Sequence, residues 1–237
     1  MAIQTPGRSA RLERAYDRIN DSYGRPAGAT VTANGVYDKL GMLVLLALLT
    51  GAVGYATDST ALLVIGLLGG LVTHLVGIFK PTTARVMAPL YALFEGLALG
   101  ALTGLVATQT HGVAPLAILF TAGIFAGALI VFRSGLVKVT PRFVSMTIMA
   151  SVGFMVALIA GWLGLLPGLS GETGLLVFGV IGIVIGVMYL FLDFNWVQVA
   201  EQRQYPEESE WFLALILMGS LVFVYINVLR VLASRRR

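Results

Sequence analysis

The fold class this sequence predicts is an all-α membrane protein, a bundle of seven transmembrane helices, and three observations carry that prediction. The 237 residues are 57% hydrophobic and 12% charged, where a soluble domain carries about a quarter charged residues. Seven apolar segments follow a polar N-terminal stretch, each near the roughly 20 residues a helix needs to cross a bilayer. Lys and Arg fall in every second connection, as alternate crossings require when positive charge stays on the cytoplasmic side.

The first 38 residues are polar and rich in Arg. Leu12, Tyr16, Ile19 and Tyr23 recur at helical spacing, and Arg11, Arg14 and Arg18 lie off that stripe. Ser9 is placed to cap such a helix and Gly24-Arg25-Pro26 to end it. This segment reads either as a short amphipathic helix on an anionic membrane surface or as a frayed cytosolic tail. No apolar run precedes residue 40, so a cleaved signal peptide is not expected.

The spans are expected at 40–57, 61–79, 86–107, 113–132, 142–166, 174–199 and 211–232, within a membrane domain over 39–232 and before a basic tail, 233–237. Asp58-Ser59 separates the first two, and Lys80-Pro81 closes the second. Pro115 falls in the first turn of the fourth helix, where a missing N–H costs little. Thr140-Pro141 reads as a cap followed by Pro at the first helical position. Pro167-Gly168 is expected to end the fifth.

The loop after the second span holds Lys80 and Arg85, that after the fourth Arg133, Lys138 and Arg142, and that after the sixth Arg203; the alternate loops hold none. The N-terminus is therefore expected inside, at a bacterial inner or plasma membrane. Seven crossings then put Arg235-Arg236-Arg237 outside, against the same rule. Either the seventh helix crosses regardless or it is re-entrant; the length of Leu213–Leu232 favours crossing. The net charge of +4 is read as a topology signal and not as a nucleic-acid surface. Gly96, Gly100 and Gly104, Gly123 and Gly127, and Gly182 and Gly186 recur at spacings that allow close helix packing in lipid. No internal repeat is evident, which disfavours an inverted-repeat transporter.

Chemistry concentrates on two acids inside apolar runs, Glu95 in the third span and Asp193 in the sixth. A carboxylate at the bilayer centre costs about 2.5–3.5 kcal/mol, so it is paired, protonated or facing water, and it marks a functional site by default. Counted from the cytoplasmic ends, both lie roughly 10–14 Å deep. Two carboxylates at one depth cannot cheaply both be charged, so a shared proton would neutralise the site and its loss would favour a cation. The bland alternative is that each is separately hydrogen-bonded or faces water. His74, Lys80 and Arg85 are candidate basic partners. Lys80 and Arg85 suit snorkelling, His74 is either a satisfied core residue or a proton relay, and His111 lies in an outside loop. The run Glu201–Glu210 is acidic and is read as a solvated turn or a cation-concentrating mouth. Tyr55, Trp162, Trp196 and Trp211 fall near span ends as interfacial anchors.

Cysteine is absent and histidine occurs twice, which excludes thiol chemistry and argues against multi-histidine metal centres. Gly168-Leu-Ser-Gly171 resembles the nucleophile motif of an intramembrane rhomboid protease. That chemistry needs a histidine base on a later helix, and none follows His111. No enzyme, cofactor or certain metal site is expected.

The segment Ala88-Pro-Leu-Tyr-Ala-Leu-Phe-Glu-Gly-Leu-Ala-Leu-Gly100 resembles the Glu-Gly segment of the Bax inhibitor-1 family (transmembrane Bax inhibitor motif proteins). Leu190-Phe-Leu-Asp-Phe-Asn-Trp-Val197 is similar to that family's aspartate segment in its sixth helix. Arg133–Phe143 and Glu210-Trp211 through Tyr225-Ile-Asn-Val-Leu-Arg230 look like a bacterial branch of it. The resemblance implies a seven-helix bundle with the last helix central, and a pH-sensitive calcium leak. In that picture an aspartate on helix 6 and another on helix 7 share a proton at a cytoplasmic-side gate. Asp193 matches the first position. At the second, the chain has Tyr225-Ile-Asn227 and no acid after Glu210, so either Glu95 substitutes in part or the pH dependence is shallower.

The reading is a passive cation leak, for Ca2+ as transported ion, gated by protonation near Asp193 and Glu95, with His74, Lys80, Arg85 and Asn227 as partners of the gate. Partners are the lipid bilayer, Ca2+ and H+. The alternative is a non-conducting stress or quality-control protein that binds membrane proteins or a protease through its tails and acidic loop.

Overall fold

The computed structural model describes residues 28–57, 59–108, 112–166 and 171–234. Each apolar segment there folds as one long helix: α1 (Ala33–Thr57), α2 (Thr60–Phe79), α3 (Ala84–Ala107), α4 (Val113–Arg133), α5 (Pro141–Trp162), α6 (Gly171–Gln202) and α7 (Ser209–Ala233). A short 3-10 turn, Pro81–Thr83, joins α2 to α3. All seven long helices are apolar enough to cross a membrane. The expected amphipathic helix capped by Ser9, Asp58, His111, the Pro167-Gly168 break, Ser170 of the protease-like motif and the terminal arginines lie outside the described residues.

Local chemistry sets most boundaries. The Ser59 Oγ accepts from the Leu62 N–H at 3.4 Å and starts α2. The Thr140 Oγ1 accepts from the Phe143 N–H at 3.2 Å, with Pro141 at the first position of α5. Two boundaries differ from expectation. Helix α5 stops at Trp162, because Gly164 turns the chain at φ 73°. Helix α1 starts at Ala33, inside the stretch assigned to the polar N-terminal segment. Its first turns carry Asn34, Asp38 and Lys39, which look unlike a span; the Thr32 Oγ1 caps it locally by accepting from the Gly35 N–H at 3.0 Å, and further acceptors come from far along the chain.

Those acceptors sit between α6 and α7. The Ala33 N–H donates to Glu201 Oε1 and the Thr32 N–H to Glu210 Oε1, each at 2.9 Å. Carboxylates there meet both the unpaired amides and the positive end of the helix dipole. The Val31 N–H donates to the Tyr205 carbonyl at 2.8 Å and the Glu207 N–H to the Ala29 carbonyl at 3.1 Å, flanking an antiparallel bridge between Thr30 and Pro206. Lys39 pairs with Glu210 and stands 5.6 Å from the Trp211 ring centroid. Arg133, at the end of α4, lies over Tyr37 at 5.7 Å. Within the acidic run Glu201, Glu207 and Glu208 are exposed, as in a solvated turn, whereas Glu210 is 2% exposed and holds the start of the bundle to its end.

Helix α7 is central. It packs against α1, α2, α3, α4 and α6, and 67% of its most apolar stretch is buried, against 11% for α5. Helix α3 is clasped by α1 and α2, and α5 packs on α6. Glycines set the close crossings. A Cβ on Gly100 would overlap the Gly51 carbonyl of α1, and one on Gly182 would overlap the Asn227 amide of α7. Gly179 and Gly186 flank that second crossing, against Val231 and Val224. The α4 pair differs from expectation: a Cβ on Gly123 or Gly127 would meet nothing within 4 Å, so among the described residues no helix is packed on that ridge.

Candidate functional site

Asp193 lies on the face of α6 that also carries Gly186, Leu190 and Val197, all buried. That face meets α7, which runs antiparallel to α6, so Asp193 comes level with Ser220. The Ser220 Oγ donates to the Asp193 Oδ2 at 2.5 Å, inside the bundle. Asp193 is 7% exposed, so this hydroxyl supplies what water would otherwise give.

Glu95 is equally buried, at 7% exposure, but in a different setting. It sits one turn beyond Tyr91 on α3, and its carboxylate fills the space over Gly70 of α2, where a Cβ would come within 2.5 Å of Oε2. Among the described residues no hydrogen bond reaches it. His74, one turn along α2 from Gly70, stacks at 4.6 Å on the Tyr91 ring. Its ring also covers Gly219 of α7, where a Cβ would lie 2.7 Å from Cε1. Among the described residues the His74 Nδ1 is buried without a hydrogen-bond partner.

The two acids therefore do not meet. Adjacent residues of α7 separate them: Gly219 turns toward α2 and His74, and Ser220 toward α6 and Asp193. Each acid lies roughly two to three turns from the end of the bundle that holds the α2–α3 and α6–α7 connections. Lys80 and Arg85 are exposed at that end, and among the described residues neither pairs with an acid. Asn227 is fully buried but lies about 10 Å along α7 from Ser220. Its Nδ2 donates to the Phe223 carbonyl at 2.7 Å, and its Oδ1 accepts from Arg230 Nη1 at 3.2 Å. It belongs to the Gly182 crossing.

The residues that sequence reasoning passed over are Ser220, Tyr91, Gly70 and Gly219. A Ser in an apolar helix carries no signal of its own, since it can bond its own backbone. The spacing of Gly70 and His74, one turn apart, is the one cue that a polar face of α2 abuts another helix. A further polar tie, Thr103 Oγ1 to Tyr225 Oη at 2.8 Å, joins α3 to α7. Among the described residues no group of three His, Cys, Asp or Glu is placed to hold a metal ion.

The protein-family model described as Bax inhibitor 1 like matches residues 7–237. No curated protein matches the chain significantly. The match covers nearly the whole sequence, including both acid-bearing helices, and agrees with seven long apolar helices around a central last one. This multi-pass membrane protein belongs to the Bax inhibitor 1 like family.

Proposed function

We propose that the protein is a passive cation leak, with Ca2+ as its ion, gated by protonation at Asp193. The observation that supports this reading is the Asp193–Ser220 hydrogen bond, buried between α6 and the central helix. A neutral Asp193 keeps that interface closed and dry. An ionised one places an unneutralised charge in a low-dielectric interior, which draws in water or a cation. A carboxylate and a hydroxyl are hard oxygen ligands of the kind Ca2+ takes. The lysines and arginines of alternate connections support a cytoplasmic N-terminus and α6–α7 loop, and in this reading the gate opens toward the cytoplasmic side. Partner binding through the acidic loop is the weaker reading, since Glu201 and Glu210 are committed to α1.

Flux into dye-loaded proteoliposomes tests the leak. Wild-type Ca2+ entry rises from mildly acidic to mildly alkaline buffer, because the proton holds the gate shut. Asp193→Asn cannot ionise and loses that pH dependence while still folding. No flux above empty liposomes at any pH, from protein with an intact circular-dichroism spectrum, would sink the reading.

A further inference from the structure

We propose that Glu95 and His74 form a second proton-binding site, joined through a bridging water on the α2–α3 side of α7 and separate from Asp193. A buried polar group that lacks a partner is rare in a native protein and calls for an explanation. Among the described residues the His74 Nδ1 is such a group, and the Glu95 carboxylate, which makes no hydrogen bond there, lies over Gly70, one helical turn away on the same helix as His74. Their side chains lean toward each other, because each points to the N-terminal end of its own helix and α2 runs antiparallel to α3.

The site is also built to hold its members still. Gly70 makes room for the carboxylate, Gly219 for the imidazole, and the Tyr91 ring backs the imidazole at 4.6 Å. A water there has a carboxyl oxygen and a ring nitrogen as partners, enough to order it.

The chemistry balances with one proton. In the neutral form the Glu95 carboxyl donates to the water and the water donates to Nδ1. Passage of the proton through the water leaves carboxylate and imidazolium, and no other group is consumed. The ionisable groups facing this site are His74 from α2 and Tyr91 from α3. Helix α1 presents Ala47 and Thr50 to the neighbouring Gly96, and α7 presents Gly219 and Leu215, none of which titrates here. Asp193 lies on the other flank of α7.

The sequence makes the test clean, because histidine occurs only twice. In 15N-histidine-labelled protein in lipid nanodiscs, His111→Gln leaves His74 as the one signal. Its ring nitrogens are expected to titrate in two steps, one their own and one reporting Glu95. Glu95→Gln should abolish the second step and move the ring-nitrogen shifts, and Asp193→Asn should leave both steps in place. A single step in the His111→Gln protein would overturn the proposal without needing the Glu95 variant to fold. Equal effects of Asp193→Asn and Glu95→Gln would overturn the separateness of the two sites. Neither readout depends on transport, so the leak can fail while this site stands.

Discussion

At the level of single residues, the bundle stabilises one acid with a hydroxyl and leaves the other to its surroundings. Ser220→Ala removes the donor and strands a buried carboxyl oxygen, which costs roughly 1–3 kcal/mol. Thermal unfolding in detergent should show that loss, and Ser220→Thr, which keeps the hydroxyl, should recover part of it. Asp193 was legible in the sequence because an acid inside an apolar run contradicts its surroundings. Its partner was not, because the seventh helix offers Ser220, Tyr225 and Asn227 and only the register of two antiparallel helices chooses among them. Lys80 and Arg85 were legible as cations, but Lys80 lies between α2 and the 3-10 turn and Arg85 at the very start of α3, exposed and away from both carboxylates.

Among the helices, glycine has two meanings that spacing alone does not separate. Gly100 lies where the backbones of α3 and α1 touch. Gly100→Ala forces that pair apart and should destabilise the protein by about 1–3 kcal/mol, the usual cost of overpacking. Gly123 of α4 faces open space, so Gly123→Ala should be neutral or raise stability by up to about 1 kcal/mol, through helix propensity. Paired thermal-unfolding curves check both. The seven spans themselves were legible because length and apolarity suffice to define them. The start of α1 was not: its opening turn is polar, and the Glu201 and Glu210 side chains that cap it belong to another part of the sequence.

For the molecule as a whole, the contact between residues 29–39 and 201–211 decides how the two ends of the chain are held. Thr30 and Pro206 form an antiparallel bridge flanked by backbone hydrogen bonds, and such a pair brings Cα atoms to about 4.5 Å, within disulfide range. The chain has no cysteine. Thr30→Cys combined with Pro206→Cys should therefore crosslink cleanly on mild oxidation, read as joined fragments after proteolysis. Two reactive thiols that never join would show that the clasp does not form in the membrane.

The same clasp bears on how the protein is made. The amides of Ala33 and Thr32 take acceptors that lie 168 and 178 residues downstream. On the ribosome, α1 enters the bilayer long before Glu201 and Glu210 are synthesised, so the amides of Thr32 and Ala33 wait for their acceptors through five further insertions. The central helix arrives last of all, into a space its neighbours have kept for it. Translation of the α6–α7 connection is thus the moment at which a row of inserted helices can become one closed protein, and a nascent chain stalled before it would hold both a first helix capped only by its own Thr32 and an unfilled centre.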